Sequence, residues 1–198
     1  MINRNSQYFR TLGWEQLRGR WESPVLFTLV YMVISIFVSS LFSALHGFLL
    51  LPVQYSFCVA FLNDKRTASG YNIESLIDGY KDFARVMGTL LLVSVYTFLW
   101  SLLLIVPGII KSISYSQTSF ILKDNPELAY NEAIERSMAM MEGYKMRYFL
   151  LQLSFIGWIL LCVLTCGILN LWVVPYMTAT NVHFYEFVKE EYEKRITA

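Results

Sequence analysis

Residues 148–185 read YFLLQLSFIGWILLCVLTCGILNLWVVPYMTATNVHFY, a run of 38 residues without Asp, Glu, Lys or Arg. A helix crosses the hydrocarbon core of a bilayer in roughly 20 apolar residues. The run is therefore long enough for two crossings. Cys166 and Gly167 lie near its middle, where glycine can adopt the positive φ that an abrupt reversal requires. This stretch predicts a transmembrane helical hairpin.

Two further blocks have the same length and character. Ser23–Asn63 holds 41 uncharged residues, and Val86–Leu122 holds 37 residues in which Lys111 is the one charge. The fold class predicted is all-α, a polytopic membrane protein with six transmembrane helices arranged as three hairpins. The predicted spans are 25–45 and 46–62, 86–106 and 108–122, and 148–166 and 168–188.

The composition excludes several other classes. Of the 198 residues, 56% are hydrophobic and 16% are charged, whereas a soluble domain has about 25% charged residues. The net charge is +1, which argues against a nucleic-acid partner, and the apolar surplus argues against disorder. The three cysteines fall inside predicted spans, so no disulfide framework is indicated.

The basic residues predict the orientation in the membrane. Of 16 Lys and Arg residues, 15 lie in four alternate segments, 1–24, 63–85, 123–147 and 186–198. Cytoplasmic loops carry an excess of Lys and Arg, so both termini and both long loops are expected in the cytoplasm. The first apolar run begins only at Val25 and has no convincing cleavage site, so it is expected to remain as the first span.

The charged segments show a threefold pattern. Residues 4–20, 73–85 and 126–142 each have the spacing of an interfacial amphipathic helix, and Asp124-Asn125-Pro126-Glu127 resembles the start of the third. Each ends in a similar tripeptide: Gly19-Arg20-Trp21, Gly79-Tyr80-Lys81 and Gly143-Tyr144-Lys145. We interpret units 4–62, 73–122 and 126–188 as a parallel repeat within a single membrane domain, 1–198. Membrane anchoring by Tyr, Trp and Lys would produce similar tripeptides without duplication.

The sequence offers little catalytic chemistry. It has two histidines and no metalloprotease or hydrolase motif. Cys162 and Cys166 have the four-residue spacing of one helix face, which suits two ligands or a redox pair, but cysteine is also an ordinary buried apolar residue. We predict no catalytic residues, no metal site and no cofactor.

Polar side chains concentrate in the returning span of each hairpin. They either form hydrogen bonds between packed helices or line a pocket or pore. Lys111 either snorkels to the outer headgroups or faces an outward polar pocket suited to an anion. The candidate ligand-binding residues are Lys111, Ser114, Tyr115, Gln117, Gln54 and Asn181.

Several of these motifs together resemble a known family. The run Leu104–Lys111, Tyr115-Ser116 and Asp124–Glu127 is similar to the domain-of-unknown-function 975 family of bacterial integral membrane proteins. The likeness continues through Gly143-Tyr144-Lys145 and, among others, Leu153–Trp158, Thr165–Ile168 and Pro175-Tyr176. The resemblance implies a small bacterial inner-membrane protein and implies no known reaction.

The expected function is a non-enzymatic scaffold or accessory of the bacterial inner membrane. Its expected partners are membrane lipids, and possible partners are another membrane protein or a second copy of the chain. The alternative is a small-solute transporter or channel that uses the polar returning helices. A continuous wet cavity containing Gln54, Gln117 and Asn181 would favour that alternative.

Overall fold

A computed structural model describes residues 5–41 and 46–197. Within these ranges it contains helices and no strand, so the predicted all-α class is confirmed. Residue 4 and residues 42–45, which begin the first predicted unit and end the first predicted span, lie outside the described ranges.

Ten α-helices and one 3-10 helix make up the described chain. In chain order they are α1 Ser6–Leu17, α2 Glu22–Leu41, α3 His46–Thr67, the 3-10 helix Ile73–Tyr80, α4 Phe83–Leu103, α5 Ile105–Tyr115, α6 Thr118–Asp124, α7 Asn131–Met140, α8 Lys145–Leu153, α9 Ile156–Leu164 and α10 Asn170–Thr197.

Four stretches are long and apolar enough to cross a membrane: Glu22–Ser40, Gly47–Thr67, Phe83–Leu102 and Lys145–Leu164. They correspond to α2, α3, α4 and the combined α8–α9 segment. The membrane character that the sequence predicts is supported at this level. The remaining two predicted spans fall on α5–α6 and on the first half of α10, which are less apolar.

The outgoing and returning helices differ in burial. About a fifth of the apolar window of α2, α4 and α8–α9 is buried, whereas 61% of the α3 window is buried. The returning helix α3 packs against both α6 and α10, and Phe120 of α6 stacks on Tyr185 of α10. Their contact surfaces are filled by large side chains such as Leu62, Ile121 and Phe184, each without exposed surface. The returning helices therefore form the inside of the molecule, and the outgoing helices form its apolar exterior.

One carboxylate joins the ends of the three returning helices. Asp124, at the end of α6, accepts hydrogen bonds from both terminal nitrogens of Arg66 at 2.6 and 2.8 Å. It also accepts from Lys189 at 2.6 Å and from the Tyr185 hydroxyl at 2.7 Å, both on α10. Arg66 in turn donates to Glu186 at 2.7 Å. Burial alone would raise the pKa of Asp124, but these donors and the charge of Arg66 outweigh it and hold the pKa well below its ordinary value.

Each amphipathic segment packs on the returning part of a hairpin. The 3-10 helix packs on α3, α7 packs on α5 and α6, and α1 packs on α10. The 3-10 helix and α7 thus cover the hairpin that precedes them in the chain. The helix α1 covers the last of the three hairpins, so each hairpin carries one amphipathic segment and the arrangement is closed.

Small residues make these contacts possible. The Gly79 amide donates to Ser56 Oγ at 2.7 Å beside Pro52, and Ser137 Oγ donates to the Ser114 carbonyl at 2.7 Å. In α1, a Cβ added to Gly13 would lie 2.8 Å from the backbone nitrogen of Thr180. A close approach of two backbones requires such residues.

Several predicted boundaries are wrong. Residues 73–85 do not form one amphipathic α-helix, because a 3-10 helix ends at Tyr80 and α4 begins at Phe83. The Asp124–Glu127 cap is also wrong, since α7 begins only at Asn131 and the Asp124 side chain belongs to the ion cluster. The second hairpin turns at the extended residue Leu104, which places Pro107 within the first turn of α5.

The first prediction concerns the ion cluster. Asp124→Asn leaves Arg66 and Lys189 without their carboxylate and should lower the free energy of unfolding by about 2–3 kcal/mol. Since the folded pKa is depressed, this contribution is present above the ordinary carboxyl pKa of 3.8 and is lost as the pH falls below it. Thermal unfolding in detergent at neutral and acidic pH measures both effects.

Asp78→Asn is the matched control for this substitution. Asp78 pairs with Lys81 at 2.7 Å, and both side chains are exposed, so its loss should change stability far less than the loss of Asp124. Equal midpoints for the two variants would contradict the central place of Asp124.

The second prediction concerns the contact between α1 and α10. Gly13→Ala forces a methyl group against the Thr180 backbone and should destabilise the protein by about 1–3 kcal/mol. Gly157→Ala is the control, because nothing lies within 4 Å of the added carbon. Protease cleavage of α1 followed over time should accelerate in Gly13→Ala alone, and equal cleavage rates would contradict the close packing.

Candidate functional site

The predicted site residues of α5 face two neighbouring helices. Lys111 Nζ lies 5.0 Å from the centroid of the Trp100 ring and 3.9 Å from Met138 Sδ. Ser114 and Tyr115 are buried, and the Ser114 carbonyl accepts the α7 hydrogen bond described above. The Lys111 ammonium therefore rests against an aromatic face, an arrangement that stabilises a cation.

The Gln117 and Asn181 side chains belong to one buried polar chain. Gln117 Nε2 donates to Ser116 Oγ at 2.7 Å, and Gln152 Nε2 donates to Asn181 Oδ1 at 2.8 Å. The Tyr148 hydroxyl interacts with both Ser116 and Gln152 and joins the two pairs. Hydrogen bonds of this kind between helices stabilise packing inside a membrane protein.

Gln54 is separate from this chain. It is exposed on α3, and no hydrogen bond joins it to the other candidates among the described residues. The structure thus brings Gln117 and Asn181 together through three intermediates and does not bring Gln54 to them.

The two cysteines of the third hairpin do not share a helix face. Cys162 is buried in α9, whereas Cys166 is exposed beyond the helix end and has a φ of 49° in the turn. Among the described residues, no group of three or more His, Cys, Asp or Glu could hold a metal ion. The suggestion of two ligands on one face is therefore wrong.

Four of the five tryptophans line one groove, which we call the tryptophan groove. It has a volume of about 430 Å³ and is predominantly apolar. Its walls come from α1, the segment that joins α1 to α2, α9 and α10. The lining residues are Trp14, Trp21, Trp158, Trp172, Val173 and Tyr176.

Local backbone geometry assembles the groove. Gly19 has a φ of 77° between α1 and α2, and the reversal there brings the rings of Trp14 and Trp21 within 5.0 Å. On the opposite wall, the hairpin turn at Gly167 brings Trp158 back to Tyr176, with ring centroids 6.3 Å apart. The edge contact of Trp14 on Tyr176, at 5.9 Å, joins the two walls.

Arg10 lies beside the tryptophan groove. Its Nε donates to the Tyr176 hydroxyl at 3.3 Å, and one terminal nitrogen donates to the Ser154 carbonyl at 3.4 Å. The guanidinium lies 5.4 Å from the centroid of the Phe155 ring. No ion pair joins Arg10 to a carboxylate of the described chain. The side chain is held in one place while its charge stays available to a ligand.

Sequence reasoning missed the tryptophan groove. Trp14 and Trp21 fit the pattern of interface anchors, and a turn at Gly167 predicts that Trp158 lies near Tyr176. No pattern in the sequence indicates that α1 packs on α10, however, and that contact joins the two aromatic pairs.

Comparison with known families gives one match. Residues 102–192, just under half of the chain, match the family described as "Protein of unknown function (DUF975)". This part of the chain matches the family that the sequence motifs resemble. Neither curated proteins nor solved structures give a match. The DUF975 match covers α9 and α10 of the groove, whereas α1 and Trp21 lie before it.

Proposed function

We propose that this chain is a six-span protein of the bacterial inner membrane that binds membrane lipid as a non-enzymatic scaffold or accessory. The observation that carries the proposal is the tryptophan groove. Trp has an apolar body and an N–H donor, and it is enriched where a protein meets both lipid tails and headgroups. No described residue accepts a hydrogen bond from these four indoles, which leaves their donors for lipid oxygens or water.

The antiparallel pairing within the last two hairpins supports six spans. Gly108 packs against Ser101 near the tip of the second hairpin, and Arg85 donates to the Leu122 carbonyl at 3.0 Å near its base. In the third hairpin, Tyr144 contacts Phe187 at 5.3 Å and Gln152 bonds Asn181. Buried residues are frequent in α6 and in the first half of α10, which fits helices covered by protein rather than lipid.

The closed arrangement of amphipathic segments supports the threefold repeat. Each segment packs on the returning part of one hairpin, as expected for three copies of one unit. Gly19 and Gly143 share positive φ values of 77° and 83°, but Gly79 does not. The second copy would therefore have diverged at its elbow, where the 3-10 helix replaces an α-helix.

The alternative function as a conduit has less support. A conduit needs a continuous polar path, but large apolar side chains fill the space between the returning helices. Phe61, Phe120 and Tyr185 are buried there, and the rings of Phe120 and Tyr185 stack at 5.0 Å. Gln152 and Asn181 are engaged in a hydrogen bond between helices, and Gln117 donates to the neighbouring Ser116.

The third prediction tests the topology. Because the basic segments are proposed to be cytoplasmic, a periplasm-active reporter inserted at Gly47 should give signal, whereas reporters at Ser69 and after Ala198 should not. A cytoplasm-active reporter at the same sites should give the opposite result and controls for expression. A periplasmic signal after Ala198 would contradict the even number of spans.

The fourth prediction tests lipid binding. Trp158→Ala removes one wall of the tryptophan groove and should reduce the phospholipid that remains bound after mild detergent extraction, as measured by native mass spectrometry. Trp100→Ala is the matched control, since Trp100 is also partly exposed but lies outside the groove. Absence of retained lipid from the unmodified protein, or equal loss in both variants, would contradict the proposal.

A further inference from the structure

We infer that the tryptophan groove selects an anionic phospholipid, with an acyl chain against the indole rings and the phosphate at Arg10. This inference rests on the proposed lipid-binding function and adds the chemical class of the lipid.

The first argument is the shape of the site. A second cavity of about 540 Å³ adjoins the tryptophan groove and shares Trp14 and Tyr176 with it. Arg10 and Ser154 line this second cavity, which is more polar than the groove. An apolar compartment beside a polar one matches a molecule with a hydrocarbon tail and a polar head.

The second argument is charge. The polar cavity is lined by Ser6, Gln7, Thr11 and Arg10, with no Asp or Glu among its lining residues. The Arg10 guanidinium has five N–H donors, and two nitrogens are bonded to Tyr176 and Ser154. The remaining donors suit phosphate oxygens, which form charge-assisted hydrogen bonds with arginine.

The third argument is the contrast with another cavity. On the other side of α1, a cavity of about 480 Å³ is lined by Lys65, His183, Lys189 and three glutamates. Charges of both signs line that cavity, so it has no net positive charge that would attract an anionic headgroup. The Arg10 cavity alone among these combines one uncompensated cation with an adjoining aromatic surface.

The fourth argument is the preorganisation of Arg10. The Tyr176 hydroxyl and Ser154 carbonyl orient the guanidinium, and Phe155 supports it from one face. A side chain already held in one conformation loses less entropy when it binds a phosphate. Tyr176 belongs to both cavities, so the group that orients the cation also contacts the apolar groove.

The test uses the full chain in nanodiscs. Its tryptophan fluorescence reports chiefly on the groove, because four of the five tryptophans lie there. Bromine on the acyl chains of the added phospholipid quenches nearby indoles. Brominated phosphatidylglycerol and brominated phosphatidylcholine are titrated separately, at equal mole fractions, into unlabelled phosphatidylcholine.

In the unmodified protein, half of the tryptophan fluorescence should be quenched at a lower mole fraction of brominated phosphatidylglycerol than of brominated phosphatidylcholine. Arg10→Gln should reduce this preference about tenfold, as expected for loss of one charge-assisted hydrogen bond. Arg10→Lys should retain part of it. Arg18→Gln removes the same charge from the end of α1, away from both cavities, and should leave the preference unchanged.

Two results would overturn the inference: equal quenching of the unmodified protein by both lipids, or an undiminished preference in Arg10→Gln. Neither would affect the proposed lipid binding, which depends on retained lipid and on Trp158. If Arg10→Gln does not fold, the inference is still tested by the phosphatidylglycerol preference of the unmodified protein and of Arg10→Lys. A preference equally weakened by Arg18→Gln would indicate general surface charge and would also overturn it.

Discussion

The structure depends on Asp124 and the cations around it. A buried carboxylate costs several kcal/mol in desolvation unless donors compensate it. Here the compensating donors come from two other returning helices, through Arg66 on α3 and Lys189 and Tyr185 on α10. The ends of the three returning helices must therefore meet at one point for the charge to be tolerated.

This convergence explains why the interior is more polar than the exterior. The buried hydroxyl groups of the returning helices bond to carbonyls one turn earlier in the same helix, as Ser56 does to Pro52 and Thr180 does to Tyr176. The outgoing helices then face outward and carry the apolar side chains. Side chains such as Ile36, Phe98 and Leu160 are exposed, with relative solvent accessibilities of 70%, 67% and 61%, as lipid contact requires.

Much of the fold could be predicted from the sequence because membrane crossing imposes strong constraints. Uncharged runs indicated the long apolar helices, and amphipathic spacing indicated α1 and α7. The sequence could not indicate the break between α5 and α6 at Ser116 and Gln117, because no glycine or proline marks it. Nor could it indicate the role of Asp124, since a carboxylate before a proline also fits a helix cap.

The candidate site was less predictable for a physical reason. Ser114 and Gln117 are polar residues in apolar surroundings, a pattern shared by a binding pocket and by packed helices. The groove instead uses aromatic residues, which sequence reasoning assigns to membrane anchoring. Their assembly depends on a contact between the two ends of the chain, and sequence patterns are informative mainly about neighbours.

The position of α1 on α10 has a consequence for biosynthesis. The ribosome makes α1 well before α10, which holds the α1 binding surface around Thr180. Phe9 and Leu17 are buried in the finished protein. Until α10 has been made, their side chains are exposed to water or to the membrane surface. Because α1 is amphipathic, it can bind at the level of the lipid headgroups during this period. The groove would then be completed only after α10 has been made, so a product truncated before α10 would lack it.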